Sequence, residues 1–338
     1  MKVSYWYNNR DIRVIEAPTP QPGPEEMLVK VLSCGICGSD IVEWYRLPRA
    51  PLVQGHEIGA EVVQIGGSVK KYRVGDRVFI PPKIPCEKCY YCLNGHHPQC
   101  TQIKERLPGG FAEYILVPGV FVQSGTYLLP DVISYDQSTF IEPLACAVRA
   151  QRLAGVVADA SILIIGCGMS GLLHLKLAKS KNHKVIVSDI NKDRLSLAKR
   201  LGADATFESG ENIDDYLIAV TGKKADVVIV CTGAEQGLTQ AWQSVDKGGK
   251  IVLFAVPGPD RNVCMPVNDF WTKEITVLTS YYCGPDDIRE AMRLIESDKV
   301  TVNDLITHKL PLSDIVRGFQ LVSEGTESIK VIINPHAA

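Results

Sequence analysis

Four cysteines lie close together in the chain, at spacings that suit a metal ion. They are Cys86, Cys89, Cys92 and Cys100, within fifteen residues that also contain proline, glycine and asparagine. Four thiolates fill the tetrahedral coordination of Zn²⁺ and leave no position for a substrate, so we predict a structural zinc. The alternatives are unrelated thiols and an iron–sulfur cluster, but bacterial clusters use a tighter spacing that ends in Cys-Pro.

A second set of ligand-type residues is spread over two segments. The stretch CGICGSD at 34–40 contains Cys34 and Cys37, and GHE at 55–57 contains His56 and Glu57. A thiolate, an imidazole and a carboxylate on separate segments leave a coordination position for water or a substrate, as a catalytic metal requires. The same residues also fit a redox dithiol beside a structural His-Glu pair. The fragments alone leave both interpretations open.

The stretch GCGMSG at 166–171 has the glycine spacing of a dinucleotide-binding turn. It follows a predicted strand, Ser161–Ile165, and opens a predicted helix, Met169–Lys181, which is the context that this turn requires. Asp189 ends the next predicted strand, where a carboxylate accepts hydrogen bonds from the adenine ribose and repels a 2′-phosphate. We therefore predict NAD rather than NADP, with Arg194 flanking the adenine. The alternative is a tight turn that binds no nucleotide.

The elements that position these residues differ before and after about residue 145. Up to about residue 145, short runs of valine and isoleucine are broken by proline and glycine, which predicts an irregular β domain. Strands then alternate with helices, which predicts a parallel sheet covered on both faces. The predicted strands are Leu28–Leu32, Glu61–Ile65, Arg77–Ile80, Glu113–Val117, Ser161–Ile165, Lys184–Ser188, Asp226–Cys231, Lys250–Val256 and Lys330–Ile333. The predicted helices are Met169–Lys181, Lys192–Leu201, Glu235–Val245, Asp286–Ser297 and Leu312–Ser323.

Composition excludes several classes of protein. The chain has 338 residues, enough for about two domains. Its 36 Lys and Arg residues against 38 Asp and Glu residues lack the basic excess that nucleic-acid binding needs, which also disfavours a zinc ribbon. It contains neither an apolar run of membrane-helix length nor the apolar segment of a signal peptide. We therefore expect a cytoplasmic protein with no membrane or nucleic-acid partner.

Taken in order, these motifs resemble the zinc-containing medium-chain dehydrogenase/reductase family, in particular its sorbitol and threonine dehydrogenase branch. The resemblance runs through CGICGSD at 34–40, GHE at 55–57, VGDRV at 74–78, the cysteines at 86–100, GGFAEY at 109–114, EPLAC at 142–146 and GCGMSG at 166–171. It implies a GroES-like catalytic domain of residues 1–145 and 285–338, and a Rossmann NAD-binding domain of residues 146–284. It also implies two zinc ions per chain and a homodimer or homotetramer.

The resemblance assigns roles to single residues. Cys37 and His56 match ligands of the catalytic zinc, and Glu57 and Glu142 match carboxylates that bind the zinc or its water, with the choice between them open. Ser39 matches the hydroxyl that takes the proton of the alcohol. The NAD-binding positions are Gly166, Gly168, Met169, Ser170, Gly171, Asp189 and Arg194, together with backbone groups of Phe254, Ala255 and Val256 near the nicotinamide.

The implied reaction is oxidation of a polyol or another secondary alcohol to a ketone, by hydride transfer from a zinc-bound alkoxide to NAD⁺. An amino alcohol such as threonine, or a cyclic alcohol, is the alternative substrate. Two further alternatives are an NAD-binding sensor without catalysis and a zinc-free reductase of activated double bonds. The latter relatives lack both the four-cysteine lobe and the GHE motif.

Three departures from the family pattern leave the alcohol open. Val42 stands where relatives carry the histidine that ends the proton relay, and we regard the adjacent Glu43 as its candidate replacement. The segments at 38–55 and 101–108, which wall the substrate pocket in relatives, are short. The sequence Tyr281-Tyr282-Cys283 replaces the stretch that carries an arginine in the polyol branch.

Overall fold

The computed structural model describes residues 1–103, 106–210 and 213–337. Its strands are β1 (Lys2–Asn8), β2 (Asp11–Glu16), β3 (Met27–Gly35), β4 (Glu57–Ile65), β5 (Arg77–Ile80), β6 (Tyr114–Val117), β7 (Tyr127–Leu128), β8 (Ser161–Ile165), β9 (Lys184–Asp189), β10 (Ala205–Glu208), β11 (Ala225–Val230), β12 (Val245–Leu253), β13 (Thr276–Thr279), β14 (Ile306–Pro311) and β15 (Lys330–Asn334). Its helices are α1 (Glu43–Arg46), α2 (Tyr90–Leu93), α3 (Gly119–Ser124), α4 (Tyr135–Ser138), α5 (Ile141–Ala154), α6 (Met169–Lys179), α7 (Lys192–Arg200), α8 (Ile213–Thr221), α9 (Glu235–Ser244), α10 (Val267–Lys273), α11 (Pro285–Glu296) and α12 (Ile315–Glu324).

These elements form two compact units. The first consists of Met1–Pro143 and Gly284–Ala338, and the second of Leu144–Cys283. The chain passes from the first unit to the second within α5, and it returns to the first just before α11.

The first unit is built on a seven-stranded sheet with the order β14-β15-β3-β4-β5-β7, in which β6 also pairs with β3. β3 and β4 are rich in Val, Ile, Leu and Ala, which favour a pleated, buried surface. Their antiparallel register aligns Gly35 with Glu57. The end of β3 and the start of β4 therefore lie side by side. The CGICGSD stretch begins at this end of β3, and the GHE stretch ends at the first residue of β4.

The second unit contains a six-stranded sheet with the order β10-β9-β8-β11-β12-β13. All of its pairings are parallel. β8 and β11 are nearly continuous runs of Val, Ile and Leu, as expected for strands buried on both faces. The order is that of a doubly wound dinucleotide-binding fold, in which ligands bind at the carboxyl ends of the central strands. The predicted fold class is confirmed.

Predicted and observed elements agree best where apolar runs are sharply bounded. β5 and β8 have the predicted bounds, whereas β4 begins four residues before the predicted Glu61. β12 covers Val245–Leu253 rather than Lys250–Val256, because it enters the sheet beside the start of β11 and ends where pairing with β13 ends. α5 is a helix of 14 residues that was not predicted from the sequence.

Among the described residues, no helix combines the length and the apolarity that crossing a membrane requires.

A histidine lies in the core of the second unit. His174 in α6 is fully buried, with its ring edge-on to Phe254 at 4.6 Å between centroids. The side-chain nitrogen of Gln151 lies 3.3 Å from its Nδ1. Burial lowers the pKa of His174 from 6.5 to about 3, because the charged imidazolium is disfavoured away from water.

We expect His174 to make the protein less stable in acid. Between pH 6.5 and 3 the unfolded chain binds a proton at this residue and the folded chain does not, so the free energy of unfolding falls as the pH falls. At pH 5 this loss amounts to about 2 kcal/mol relative to pH 7. Urea unfolding of wild type and His174→Leu at both pH values measures it, because any acid effect of other groups is common to both proteins. Parallel pH profiles would contradict the prediction.

Candidate metal and cofactor sites

The register of β3 and β4 brings three ligand-type side chains together. Cys37 caps the turn that follows β3, and His56 immediately precedes β4, whose first residue is Glu57. One ligand atom from each of Cys37, His56 and Glu57 lies within 4.8 Å of the other two. This donor set of sulfur, nitrogen and oxygen suits Zn²⁺, and three protein ligands leave a tetrahedral position open.

Glu57 is held by a lysine from the far end of the chain. Lys330 in β15 donates a hydrogen bond from Nζ to Glu57 Oε2, and both side chains are fully buried. The ammonium lies 5.1 Å from the centre of the Phe140 ring. At Gly35, a Cβ would stand 2.1 Å from Glu57 Oε2, so only glycine leaves room for this pair. Within the described ranges, the other oxygen, Glu57 Oε1, is buried and accepts no hydrogen bond. A bound cation would satisfy it.

Asp40 orients His56. Its Oδ1 lies 3.3 Å from His56 Nδ1, and its Oδ2 accepts the backbone N–H of Cys37 at 3.1 Å. A histidine that binds a metal through one ring nitrogen commonly donates the other to a carboxylate in this way. Burial alone would lower the pKa of His56, but the Asp40 carboxylate and the Cys37 thiolate raise it well above its ordinary value. The surroundings that attract a proton here also attract a cation.

Ser39 is hydrogen-bonded to an arginine. Arg46 Nη2 donates to Ser39 Oγ and to Asp40 Oδ1, both at 2.8 Å, and Arg46 Nε donates to the Ser39 carbonyl at 3.0 Å. Glu43, our candidate for the missing relay histidine, instead accepts the backbone N–H of Asn9 at 2.9 Å. The structure therefore places an arginine against Ser39 rather than the glutamate that we expected.

Glu142 does not join the first donor set. It is buried in the first turn of α5. Among the described residues, the group formed by Cys37, His56 and Glu57 does not include it. The geometry therefore favours Glu57 over Glu142 as the third donor.

The four cysteines of the 86–100 lobe converge around α2. The sulfur of Cys89 lies 3.5 Å from that of Cys92 and 3.9 Å from that of Cys100, and Cys86 lies 4.0 Å from Cys92. A tetrahedral zinc with Zn–S bonds of 2.3 Å requires sulfur separations of about 3.8 Å. The backbone N–H of Cys89 donates to the Cys86 sulfur, and that of Cys86 donates to the Cys100 sulfur, each at 3.3 Å.

Ionisation of this lobe also points to a cation. Backbone N–H groups of Cys92 and Thr101 lower the pKa of Cys89 to about 6. Burial raises the pKa of Cys92 to about 12, so this thiol stays protonated without a metal. A coordinated divalent ion deprotonates such a thiol and neutralises the sulfurs around it. The lobe therefore fits a closed zinc site.

The glycine turn between β8 and α6 has the geometry of a phosphate-binding turn. Gly166 has φ +89°, which favours glycine, and a Cβ at Gly171 would lie 2.0 Å from the Gly166 carbonyl oxygen. Gly168 caps α6, whose first residues are Met169 and Ser170. The first backbone N–H groups of a helix have no partner within it, and they attract anions.

Asp189 ties this turn to the end of β9. Its Oδ2 accepts the backbone N–H of Cys167 at 2.6 Å, and its Oδ1 accepts that of Asn191 at 2.8 Å. It borders a cavity of about 720 Å³ whose lining includes Gly166, Asp189, Ile190, Ser209, Thr232 and Gln240. That volume is adequate for a nucleoside. Another cavity, of about 840 Å³ around Trp242 and Lys247, contains none of the predicted site residues.

Arg194 lies close to the same turn. It is in the first turn of α7, where its backbone N–H donates to the Asn191 side chain at 3.1 Å. Its Nη1 is 3.7 Å from the point that a Cβ on Gly168 would occupy. The structure thus brings the glycines, Asp189 and Arg194 together within the second unit.

Phe254, Ala255 and Val256 directly follow β12 at its carboxyl end. The backbone N–H groups of Phe254 and Ala255 both donate to the Val230 carbonyl, at 3.1 and 3.0 Å. Val256 is 53% exposed. These residues continue the edge at which a parallel sheet of this order binds its ligands.

Three residues around the first donor set were not predicted from the sequence. Asp40 lies within the CGICGSD stretch but was given no role, and Arg46 and Lys330 were not singled out. The one signal for Lys330 was a lysine that opens an otherwise apolar terminal strand. Nothing in the local sequence around Arg46 indicated a contact with Ser39.

Comparison with known proteins bears on both units. The family model described as alcohol dehydrogenase GroES-like domain matches residues 23–126, and the model described as zinc-binding dehydrogenase matches residues 171–297. A sorbitol dehydrogenase from Ovis aries is 32% identical, over 96% of this chain and 93% of its own length.

Two solved structures are similar along their whole length. The 2R,3R-butanediol dehydrogenase from Bacillus subtilis gives a TM-score of 0.87 at 28% identity, with 99% of each chain covered. An alcohol dehydrogenase from Escherichia coli CFT073, described as short-chain and solved with the cofactor NADH, gives 0.87 at 26% identity, again with 99% of each chain covered.

Proposed function

This chain belongs to the zinc-binding alcohol dehydrogenase family, and from that premise we propose that it oxidises a small polyol or another secondary alcohol to a ketone with NAD⁺. The observation that carries the proposal is the donor set of Cys37, His56 and Glu57, in which one buried oxygen of Glu57 accepts no hydrogen bond from the described part of the chain. Such a set needs a cation. Its open coordination position distinguishes it from the lobe at 86–100, which we propose binds a structural zinc.

When bound by Cys37, His56 and Glu57, zinc supplies a Lewis acid that lowers the pKa of an alcohol hydroxyl. The proton is transferred by a residue of the chain itself. The Ser39 hydroxyl accepts the proton of the alcohol and passes its own proton to water. Bound NAD⁺ would supply the hydride acceptor at C4 of its nicotinamide, so that overall the alcohol and NAD⁺ would become ketone, NADH and a proton.

Binding of the cofactor falls to the second unit. We propose that the turn of Gly166, Gly168 and Gly171, with Met169 and Ser170 at the start of α6, binds the pyrophosphate. Asp189 then accepts the ribose hydroxyls and Arg194 flanks the adenine. Backbone groups of the segment 254–256 position the nicotinamide.

A polyol is the substrate class that two observations support. The named substrates of the ovine and Bacillus relatives both carry hydroxyls on neighbouring carbons. A carboxylate in place of a second thiolate makes the donor set harder, which suits substrates that bring more than one oxygen. It also suits a nitrogen, so an amino alcohol such as L-threonine is the alternative that the assay must include.

We also propose that the protein is a homodimer or homotetramer, on the resemblance to its family, and that it works in the cytoplasm. The four thiols of the lobe at 86–100 support a reducing compartment, because oxidation to disulfides would remove the metal ligands.

The test is reduction of NAD⁺ at 340 nm by the zinc-replete protein with polyols, simple secondary alcohols, L-threonine and cyclic alcohols. We expect turnover with a vicinal diol or polyol, and the best substrate decides the branch. The reductive direction, with ketoses and NADH, is run in parallel. NADH binding without turnover in either direction would contradict the proposal and favour a sensor.

The choice of NAD over NADP should depend on the charge of Asp189. Asp189→Asn keeps the size of the side chain but removes the charge that repels a 2′-phosphate. Since like charges in contact cost several kcal/mol, we expect the ratio of kcat/KM for NADP⁺ to that for NAD⁺ to rise by roughly 10²-fold. Steady-state kinetics with both cofactors measures it. Asp193→Asn, an exposed carboxylate in the first turn of α7, is the matched control and should leave the ratio unchanged.

A further inference from the structure

One arginine connects the Ser39 hydroxyl to the residue that orients His56. Arg46 Nη2 donates to both Ser39 Oγ and Asp40 Oδ1 at 2.8 Å, and the same Asp40 oxygen lies 3.3 Å from His56 Nδ1. The Asp40 side chain is fully buried, and that of Arg46 is 12% exposed. An ion pair so far removed from water is held rigidly and is poorly screened.

We propose that Arg46 is a positioning residue for alcohol oxidation, an inference that rests on the proposed function. A guanidinium has only donors, so in its hydrogen bond with Arg46 the Ser39 oxygen must act as the acceptor. This leaves the second lone pair of Ser39 to accept the proton of the alcohol, and the Ser39 O–H to donate to water. Because a guanidinium has no acceptor atom, Arg46 orients Ser39 and does not relay a proton.

The contact of Arg46 with Asp40 fixes the position of the Ser39 hydroxyl relative to His56, the proposed metal ligand. Because one nitrogen bonds to both Ser39 and Asp40, a shift of either side chain disturbs the other. Asp40 in turn orients the ring of His56. Arg46 thus holds Ser39 and His56 in one arrangement. Lysine reproduces it only in part, because it lacks the second nitrogen with which Arg46 also donates to the Ser39 carbonyl.

Arg49 provides a matched control. Its guanidinium lies 4.9 Å from the centre of the Tyr45 ring, and that of Arg46 lies 5.1 Å from it. Arg49 Nη2 donates to the Tyr45 carbonyl at 3.1 Å, in an exposed position. Both arginines therefore stack on one ring, but only Arg46 contacts Ser39 and Asp40.

The first experiment compares kinetics of Arg46→Met, Arg46→Lys and Arg49→Met. We expect Arg46→Met to lower kcat by about 10- to 100-fold with little change in KM for NAD⁺, Arg46→Lys to be intermediate, and Arg49→Met to match wild type. In Arg46→Ala, added guanidinium ion should restore part of the lost kcat. Wild-type kcat in both Arg46→Met and Arg46→Lys would overturn the proposal.

A double-mutant cycle shows whether Arg46 acts through Ser39. In a Ser39→Ala background, Arg46→Met should cost several-fold less in kcat than it does in wild type. An equal cost in both backgrounds would mean that Arg46 does not act through Ser39, which would overturn that part of the proposal.

Zinc affinity gives a readout that needs no turnover. Zn²⁺ itself is titrated against a chelator in wild type, Arg46→Lys and Arg46→Met. The weaker of the two bound ions should bind about 10-fold more weakly in Arg46→Met, while the zinc of the four-cysteine lobe is unaffected and serves as the internal standard. If the wild type oxidised no alcohol, the proposed function would fail, yet this titration would still decide whether Arg46 supports Asp40 and His56. Unchanged zinc affinity would overturn that part of the proposal.

Discussion

Replacing His56 by alanine is expected to lower kcat/KM by at least ~10³-fold, because the Lewis acid contributes several kcal/mol to the transition state. The imidazole is one of three donors within 4.8 Å of one another, and no other histidine among the described residues joins that group. Zinc content, measured by mass spectrometry, should fall from two ions per chain to one, since the four-cysteine lobe is untouched. NADH binding, followed by fluorescence, should persist.

The matched control is His336→Ala, which removes an exposed histidine of the first unit outside both donor sets. It should keep both zinc ions and wild-type turnover. If His56→Ala instead retained two zinc ions and most of its activity, the proposed metal ligands would be wrong.

The positions of Cys34 and Cys37 distinguish a metal site from a redox dithiol, the two interpretations that the sequence left open. Cys37 lies in the donor set, whereas Cys34 is fully buried, and its sulfur lies 2.7 Å from the point that a Cβ at Gly55 or at Gly110 would occupy. A dithiol would need both residues for activity. The geometry gives Cys34 a packing role and assigns the chemistry to Cys37.

The sequence predicted the parts of this protein that depend on local pattern. The turn at 166–171 and the cysteines at 86–100 are specified by residues near one another in the chain, and their geometry follows the spacing. β8 is likewise a short apolar run whose bounds the pattern marks. In each case one segment contains nearly all of the information.

What could not be predicted depends on contacts between distant segments. β4 starts at Glu57 rather than Glu61 because pairing with β3 extends it. A glutamate as the first residue of a buried strand is unexpected, so the sequence pattern did not predict this start. Its compensation, Lys330, lies 273 residues away. The contact between Arg46 and Ser39 also cannot be predicted from residue spacing, because it depends on the conformation of the short segment after Cys37.

Removing Lys330 is expected to have the largest effect on stability. In protein whose catalytic metal has been removed by a chelator, Lys330→Met leaves the buried Glu57 carboxylate without its counter-charge, and breaking a buried ion pair from one side typically costs 3–5 kcal/mol, so we expect about that loss. Methionine matches the length of the lysine stem, so the loss reports the charge rather than a cavity. Urea unfolding gives the free energy, and hydrogen exchange in β3, β4 and β15 locates it in the first unit.

Two further variants decide whether the charge or the packing is responsible. Lys309→Met breaks an ion pair with Asp136 at 2.5 Å, but the lysine is 55% exposed, so the expected loss is below about 1 kcal/mol. Glu57→Gln combined with Lys330→Met removes both charges, and it should recover most of the stability that Lys330→Met loses, because the desolvated carboxylate is then absent. If the double variant were as unstable as Lys330→Met, packing of the lysine stem would account for the loss. If the double variant were stable but did not bind the catalytic zinc, the Glu57 carboxylate would be required for metal binding rather than for stability. Its burial would then cost folding free energy that the ion pair with Lys330 offsets.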